Sequence, residues 1–265
     1  MIWMNEKHKG LGSFEMIKIK RINELLQYVQ KMETVSLDDL VQEFNVSKNT
    51  IRRDVQELVD QGKLKKVYGG VSANRSSTVP YHDRKVQNQD GKIKIAEMAA
   101  SYVEDGDIIF LDSGTTTVEM LEYIKDKNLI IVTNNLDFTL EATPYSNLRI
   151  YSTGGMYERS TKSYAGLESA EAVKSYNFSK AFMASTGISL TNGITNSSPQ
   201  ETQIKSTVVE RSGEVFLLVD HSKFDHYSLT TYCDMEDIDY LVTNERPEDK
   251  YKQFAEKNNV TLIFP

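Results

Sequence analysis

Val46-Ser47-Lys48-Asn49-Thr50-Ile51-Arg52-Arg53-Asp54-Val55 decides how the first part of this 265-residue chain is read. Ser47 is a good helix N-cap, because its hydroxyl can accept a bond from a first-turn backbone N–H, so a helix is expected from Lys48. Ile51, Val55, Leu58 and Val59 recur at i, i+4, i+7 and i+8 and form one apolar stripe. Lys48, Asn49, Arg52 and Arg53 lie off that stripe. Arg and Lys reach guanine edges in the major groove and Asn reaches adenine. The segment therefore reads as the turn and recognition helix of a helix-turn-helix that binds double-stranded DNA.

The flanking residues agree with this reading. Ile22, Leu25, Leu26 and Val29 have helical spacing and predict a first helix from about Lys18 to Lys31. Ser36 caps a short second helix, Leu37 to Phe44, with Leu37, Leu40, Val41 and Phe44 facing inward. Asp38 and Asp39 sit in its first turn, where the helix dipole favours acids. Asn45-Val46-Ser47 has the length of a helix-turn-helix connector. Gly62 ends the recognition helix. Lys63 to Val71 alternates as a strand with a Gly69-Gly70 turn, which suits a basic wing lying on phosphates. An isolated Lys/Arg-bearing helix is often only a solvated face, but here cap, preceding helix and basic hairpin point the same way. The expected DNA contacts are Ser47, Lys48, Asn49, Thr50, Arg52, Arg53, Lys65, Lys66 and Tyr68.

Ser47 to Asp54, with Leu58, Gly62, Leu64 and Gly69-Gly70, resembles the N-terminal signature of DeoR-type bacterial transcriptional repressors. The match runs in order over about fifty residues and departs at Tyr68, where the family usually has His. A tyrosine can still stack on a sugar or bond a phosphate.

The net charge of −7 looks wrong for a DNA binder until it is divided. Residues 1–75 hold 13 Lys/Arg against 10 Asp/Glu, a net of +3, and residues 76–265 hold 18 against 28, a net of −10. A mildly basic head on an acidic body confines DNA contact to the head. The single cysteine, Cys233, leaves no disulfide within one chain and fits a reducing cytoplasm. No apolar run approaches ~20 residues, so no membrane span is expected. Residues 1–15 do not form a signal peptide and are expected to be a disordered extension, with Met16 a candidate start. The four His and one Cys have no zinc spacing, and neither a metal nor a cofactor is expected.

Residues 16–72 are thus expected to form the winged helix-turn-helix, 73–90 a linker, and 91–265 a second domain. In that domain Ile93, Ala96, Ala99, Ala100 and Val103 mark one helix, and Val118, Leu121 and Ile124 another. Short apolar runs mark strands at Ile108–Leu111, Leu129–Val132, Leu148–Tyr151, Ala181–Met183, Val215–Val219, Tyr240–Val242 and Val260–Ile263. Alternating strands and helices predict an α/β fold with a mostly parallel sheet.

Ligands of such sheets bind beyond the carboxyl ends of the strands. The residues there are Asp112-Ser113-Gly114-Thr115-Thr116, Thr133-Asn134, Gly154-Gly155, Thr186-Gly187 and Asp220-His221-Ser222-Lys223. Ser113 to Thr116 suits an anion cradle, with a glycine for close approach, hydroxyl donors and free N–H groups. Lys223 could neutralise the anion there, with Lys94, Arg159 and Lys205 as further candidates.

The same positions, with Gly166, Gly187, Gly193, Glu201 and Lys205, look like the C-terminal effector domain of DeoR-type repressors, itself similar in fold to ribose-5-phosphate isomerase. The resemblance implies a phosphorylated sugar as effector, phosphate on the Ser113–Thr116 loop, a contribution from Glu201 and Lys205, and a homo-oligomer, dimer or tetramer. The expected function is that of a repressor of a sugar-catabolism operon. A rival reading keeps the isomerase chemistry, which needs a carboxylate base. No Asp or Glu occurs from Ala172 to Gln200, and only Asp112 and Glu201 remain as candidates. The sign of regulation is not written in the sequence, so a ligand-dependent activator stays open.

Overall fold

A computed structural model describes residues 18, 20–29, 32, 34–60, 63–73 and 81–265. The expected extension, Met16, Gly62 and residues 74–80 of the expected linker lie outside the described residues. The chain divides into two units, residues 1–77 and 78–265.

The first unit runs α1 (residues 20–29), β1 (Thr34–Ser36), α2 (Leu37–Phe44), α3 (Lys48–Asp60), β2 (Leu64–Val67) and β3 (Gly70–Ala73). Ser36 Oγ accepts from Asp39 N at 3.0 Å and Ser47 Oγ from Thr50 N at 3.2 Å, so both helices start where a hydroxyl takes an orphan N–H. Asn45 closes α2 in the left-handed conformation. Leu25, Val29, Leu40, Ile51, Val55 and Leu58 meet in one core. α3 also buries Asp54, a charged residue that the apolar reading of this stripe had not included. β1 was not foreseen. It pairs antiparallel with β3 and completes a three-stranded sheet in the order β1-β3-β2. Gly70 makes that closure possible, since a Cβ there would lie 2.2 Å from the Val35 carbonyl oxygen.

The second unit begins with α4 (Tyr81–Val86) and α5 (Gln89–Ala100). The linker expected over 73–90 is therefore helical over much of its second half. The Arg84 carbonyl, left open where the chain turns at left-handed Asn88, accepts instead from the buried Lys92 ammonium. A cation is the favoured cap for such a helix end.

Seven parallel strands follow, with β4 (Ile108–Leu111), α6 (Leu121–Ile124, preceded by a 3₁₀ turn at Val118–Met120), β5 (Leu129–Thr133), α7 (Leu136–Glu141) and β6 (Leu148–Ser152). A hairpin, β7 (Met156–Glu158) and β8 (Ser163–Ala165), leads to α8 (Leu167–Lys174) and β9 (Phe178–Ala184). Then come β10 (Gly187–Ser189), β11 (Gly193–Asn196), α9 (Pro199–Glu210), β12 (Ser212–Leu218), β13 (Thr230–Cys233), β14 (Tyr240–Val242), α10 (Asp249–Asn258) and β15 (Thr261–Ile263). The main sheet is ordered β15-β14-β12-β9-β4-β5-β6, and β10-β11-β13 form a small antiparallel sheet.

Alternate side chains of the central strands feed two cores. Ile109, Leu111, Ile131, Phe182, Phe216 and Leu218 pack with α5, α6 and α7. Phe110, Val132, Ala181, Met183, Val215 and Leu217 pack with α8, α9 and α10. Burial on both faces is why these strands read as continuous apolar runs. The carboxyl ends of β4, β5, β9 and β12 consequently open together on one edge of the sheet.

Candidate functional site

On the first unit, Asn49, Arg52 and Arg53 are exposed and share one face of α3, opposite Ile51 and Val55. None of the three makes a hydrogen bond or ion pair with another described residue, so their donors are available to base edges or phosphates. Lys48 is exposed but bonds Asp38 Oδ1 at 2.5 Å, and Lys66 reaches Gln56 Oε1 at 2.5 Å. Ser47 and half-buried Thr50 bond each other at 2.9 Å and serve the cap. Lys65 is exposed on β2, and Tyr68 stands fully exposed at the tip of the β2–β3 turn.

In the second unit the loop after β4 is rigidly held. Asp112 is fully buried. Its Oδ1 accepts from Ser113 N at 2.8 Å, and its Oδ2 accepts from Ala184 N at 2.8 Å and pairs with the Lys205 ammonium. Lys205 also bonds the Ala184 carbonyl at 3.0 Å. Thr117 Oγ1 donates to the Asp112 and Gly114 carbonyls, and Asn135 Nδ2 reaches both at 3.3 Å. Gly114 is required, because a Cβ there would lie 2.5 Å from the Ala184 Cβ. Thr115 and Thr116 are each 7% exposed, and their hydroxyls make no hydrogen bond to another described residue.

Glu201 lies at the start of α9, behind the Ser198 cap and Pro199. Its carboxylate accepts from Ser163 Oγ at 2.5 Å, Asn196 Nδ2 at 3.1 Å and Ser113 Oγ at 3.2 Å. Burial pushes this carboxyl up, but the Lys205 charge and the bonds from Ser163, Asn196 and Thr161 outweigh it and hold it below its ordinary value.

Three cations, Arg84, Lys92 and Lys223, lie close enough to repel one another, with Asp220 among them. Burial lowers the Lys92 ammonium to about 8, with Lys223 and Arg84 adding repulsion against the attraction of Asp220. Burial likewise lowers Lys223, against Asp220 and with Arg84. Arg84 is lowered by burial, against the attraction of Glu201. Asp220 accepts from Asn88 Nδ2 at 3.1 Å and Ser222 N at 2.9 Å. Burial raises its carboxyl, but Lys223 and these bonds hold it below the usual range. Three mutually repelling cations against Asp220 and Glu201 make a place where a bound anion relieves strain on every one of them.

The expected site residues thus separate. Asp112, Ser113, Glu201 and Lys205 are joined by bonds in the loop that carries Gly114, Thr115 and Thr116, whereas Lys223 lies with Asp220, Arg84 and Lys92. Thr133 is committed to the Leu111 carbonyl at 2.6 Å. Asn134 is fully buried, and neither atom of its amide has a partner. Gly154 and Gly155 shape a turn, and a Cβ on Gly155 would lie 2.2 Å from Ser169 Oγ. Thr186 is exposed, and Gly187 is pressed against the His226 carbonyl, 2.5 Å from where a Cβ would be. Lys94 and Arg159 are exposed and do not join. Lys92 takes the place expected for Lys94, and Arg84 was not foreseen as a ligand-side residue. Lys92 was findable, since it stands at i with Ile95, Ala96 and Ala99 at i+3, i+4 and i+7 on the buried stripe of α5. Arg84 left no periodic signal.

A model of the DeoR-like helix-turn-helix domain matches residues 21–77, and one of the DeoR C terminal sensor domain matches residues 87–245. The HTH-type transcriptional regulator IolR of Bacillus subtilis (strain 168) is 42% identical over 248 residues, 93% of this chain and 99% of that protein. The chain belongs to the DeoR family. A second relative, the lactose phosphotransferase system repressor of Staphylococcus epidermidis, is 30% identical over 89% of this chain and 95% of its own length. Among solved structures, ribose 5-phosphate isomerase A of Methanocaldococcus jannaschii aligns with a TM-score of 0.38 at 19% identity, covering 52% of this chain and 55% of its own. These two relatives are named as a regulator and a repressor, and this chain is a DNA-binding transcriptional regulator. No helix among the described residues is long and apolar enough to cross a membrane.

Proposed function

We propose that this protein is a cytoplasmic repressor of a sugar-catabolism operon, released from its operator by a phosphorylated sugar or a related metabolite. The observation that carries this reading is the mutual repulsion of Arg84, Lys92 and Lys223 around Asp220, at the same carboxyl edge of the sheet as the loop whose Thr115 and Thr116 hydroxyls are unengaged. A phosphate dianion matches that chemistry, with the cations for charge and the hydroxyls for hydrogen bonds. Asn49, Arg52 and Arg53 read base edges, with Lys48, Lys65, Lys66 and Tyr68 on the backbone. The lactose phosphotransferase system repressor among the relatives supports the sugar assignment. The protein acts as a homo-oligomer on repeated half-sites, and the effector prefers the arrangement in which the heads no longer match them.

Catalysis is not part of this reading. Isomerisation needs a carboxylate free to move a proton, whereas Asp112 is tied to Lys205 and Ala184 N, and Glu201 to three side-chain donors. The test is Lys223→Ala. It should bind operator DNA like the parent and respond poorly to the effector. A normal response would remove the anion site from this place.

A further inference from the structure

The recognition helix carries a charge where its apolar stripe should continue. α3 buries Ile51, Asp54, Val55 and Leu58, and Asp54 is 1% exposed. Its partner is Arg21 on α1, with Nε 2.7 Å from Oδ2 and Nη2 3.2 Å from Oδ1, a two-bond fork. Three residues earlier in the chain, Lys18 Nζ meets Glu57 Oε2 at 2.7 Å, three residues beyond Asp54 on α3. The two helices are laced by ion pairs that step along them in opposite senses.

Stability alone does not account for Asp54 in this position. Taking both charges out of water is costly, and a well-packed apolar pair of similar volume is commonly as stable or more so. A fork between two planar groups does supply direction, since both bonds form in only one alignment. Sliding α3 by one residue along α1 moves each side chain about 1.5 Å and turns it about 100°. Sliding it by a full turn would set Arg21 against Thr50 or Leu58 and would break both pairs. Base readout tolerates only a few tenths of an ångström in donor–acceptor distance. Arg52 and Arg53 immediately precede Asp54, so a rotation at Asp54 passes directly to them.

We propose that Arg21 and Asp54 are positioning residues for DNA readout, fixing the register and rotation of the recognition helix so that Asn49, Arg52 and Arg53 meet base edges. The inference rests on the contact face assigned above. Loss of the pair lowers sequence discrimination and leaves non-specific binding intact, because phosphate contacts are not directional to the same degree.

The test uses the full chain and a duplex selected by the parent protein from a random library, compared with a shuffled duplex of equal length at fixed salt. Arg21→Met with Asp54→Leu removes one charge of each sign, so the net charge of the head is unchanged. Arg21→Lys keeps the charge and loses the fork. Both variants should keep parental affinity for the shuffled duplex while the affinity ratio falls roughly 5- to 150-fold, the worth of one bidentate base contact. Thermal melting identifies which variants are folded and is not expected to track the ratio. Arg52→Ala separates the two layers of the argument. Loss of discrimination in Arg52→Ala with full discrimination in either folded pair variant overturns the positioning role. Full discrimination in Arg52→Ala overturns the contact assignment itself.

Discussion

Replacing Lys92 by methionine should weaken binding of a phosphorylated effector most at neutral pH and far less at pH 9. Methionine keeps the length and burial of the stem but removes the ammonium. With its pKa pulled down to about 8, Lys92 is about 90% charged at pH 7 and about 10% charged at pH 9. An opposite charge placed beside it raises that pKa. Binding above pH 8 therefore takes up a proton and weakens as pH rises, by about tenfold between pH 7 and 9. Below pH 7 the ammonium is charged in both states and adds no further dependence. A charge-assisted hydrogen bond contributes ~1.5–3 kcal/mol, so the parent should bind roughly 10- to 150-fold more tightly than Lys92→Met at pH 7. That advantage should shrink by about tenfold at pH 9. Lys223 and Arg84 remain in both proteins, so the ratio of parent to variant reports the Lys92 charge together with its repulsion of these two. Titration calorimetry with the releasing sugar phosphate at pH 7, 8 and 9, at fixed ionic strength, reads the ratio directly. A ratio that stays constant across this range would refute the placement of Lys92 in the anion site.

Three further outcomes follow from the same geometry. Asp112→Asn removes the directly paired counter-charge of the buried Lys205 ammonium and leaves only the longer-range attraction of Glu201, at a cost of up to ~3–5 kcal/mol, so the second unit should melt clearly below the parent in a calorimetric scan. An unchanged melting temperature would contradict the structural role given to that pair. Gly114→Ala forces a Cβ against Ala184, costs ~1–3 kcal/mol, and should weaken sugar phosphate binding while sparing DNA affinity. Lys65→Ala should weaken binding uniformly across DNA sequences and lower the salt dependence by about one released ion, which anisotropy at several salt concentrations would check.

Legibility in the sequence followed the length and the burial of each element. β4, β5, β9 and β12 stood out because both faces are covered and the runs are apolar throughout. α2 and α3 stood out because Ser36 and Ser47 mark their starts. β1, β7, β8, β10, β11 and β13 were hidden because they are short and mix polar residues or glycine with few apolar ones, unlike the equally short but apolar β4, β14 and β15. α4 was hidden for a different reason. A six-residue helix is not stable by itself, and the bond from Lys92 to the Arg84 carbonyl comes from the following helix. The strand-end loops were legible as small polar segments, but not their division of labour. Nothing in the spacing of Thr133, Asn134 and Asn135 says that the first and third brace the neighbouring loop while the second leaves its amide unpaired. The same limit applies to Asp54, since the sequence gives no sign that Arg21, 33 residues away, neutralises it.

The central claim is that a DNA-reading head answers to an anion held by Arg84, Lys92 and Lys223. It is tested most directly by fluorescence anisotropy of the full chain on a labelled operator duplex, titrated at fixed salt with a panel of sugar phosphates and their unphosphorylated counterparts. The account predicts that one phosphorylated compound releases the DNA, that its unphosphorylated twin does not, and that Lys223→Ala is insensitive to both. Release by the unphosphorylated sugar, or tight binding that no phosphorylated compound disturbs, would contradict it.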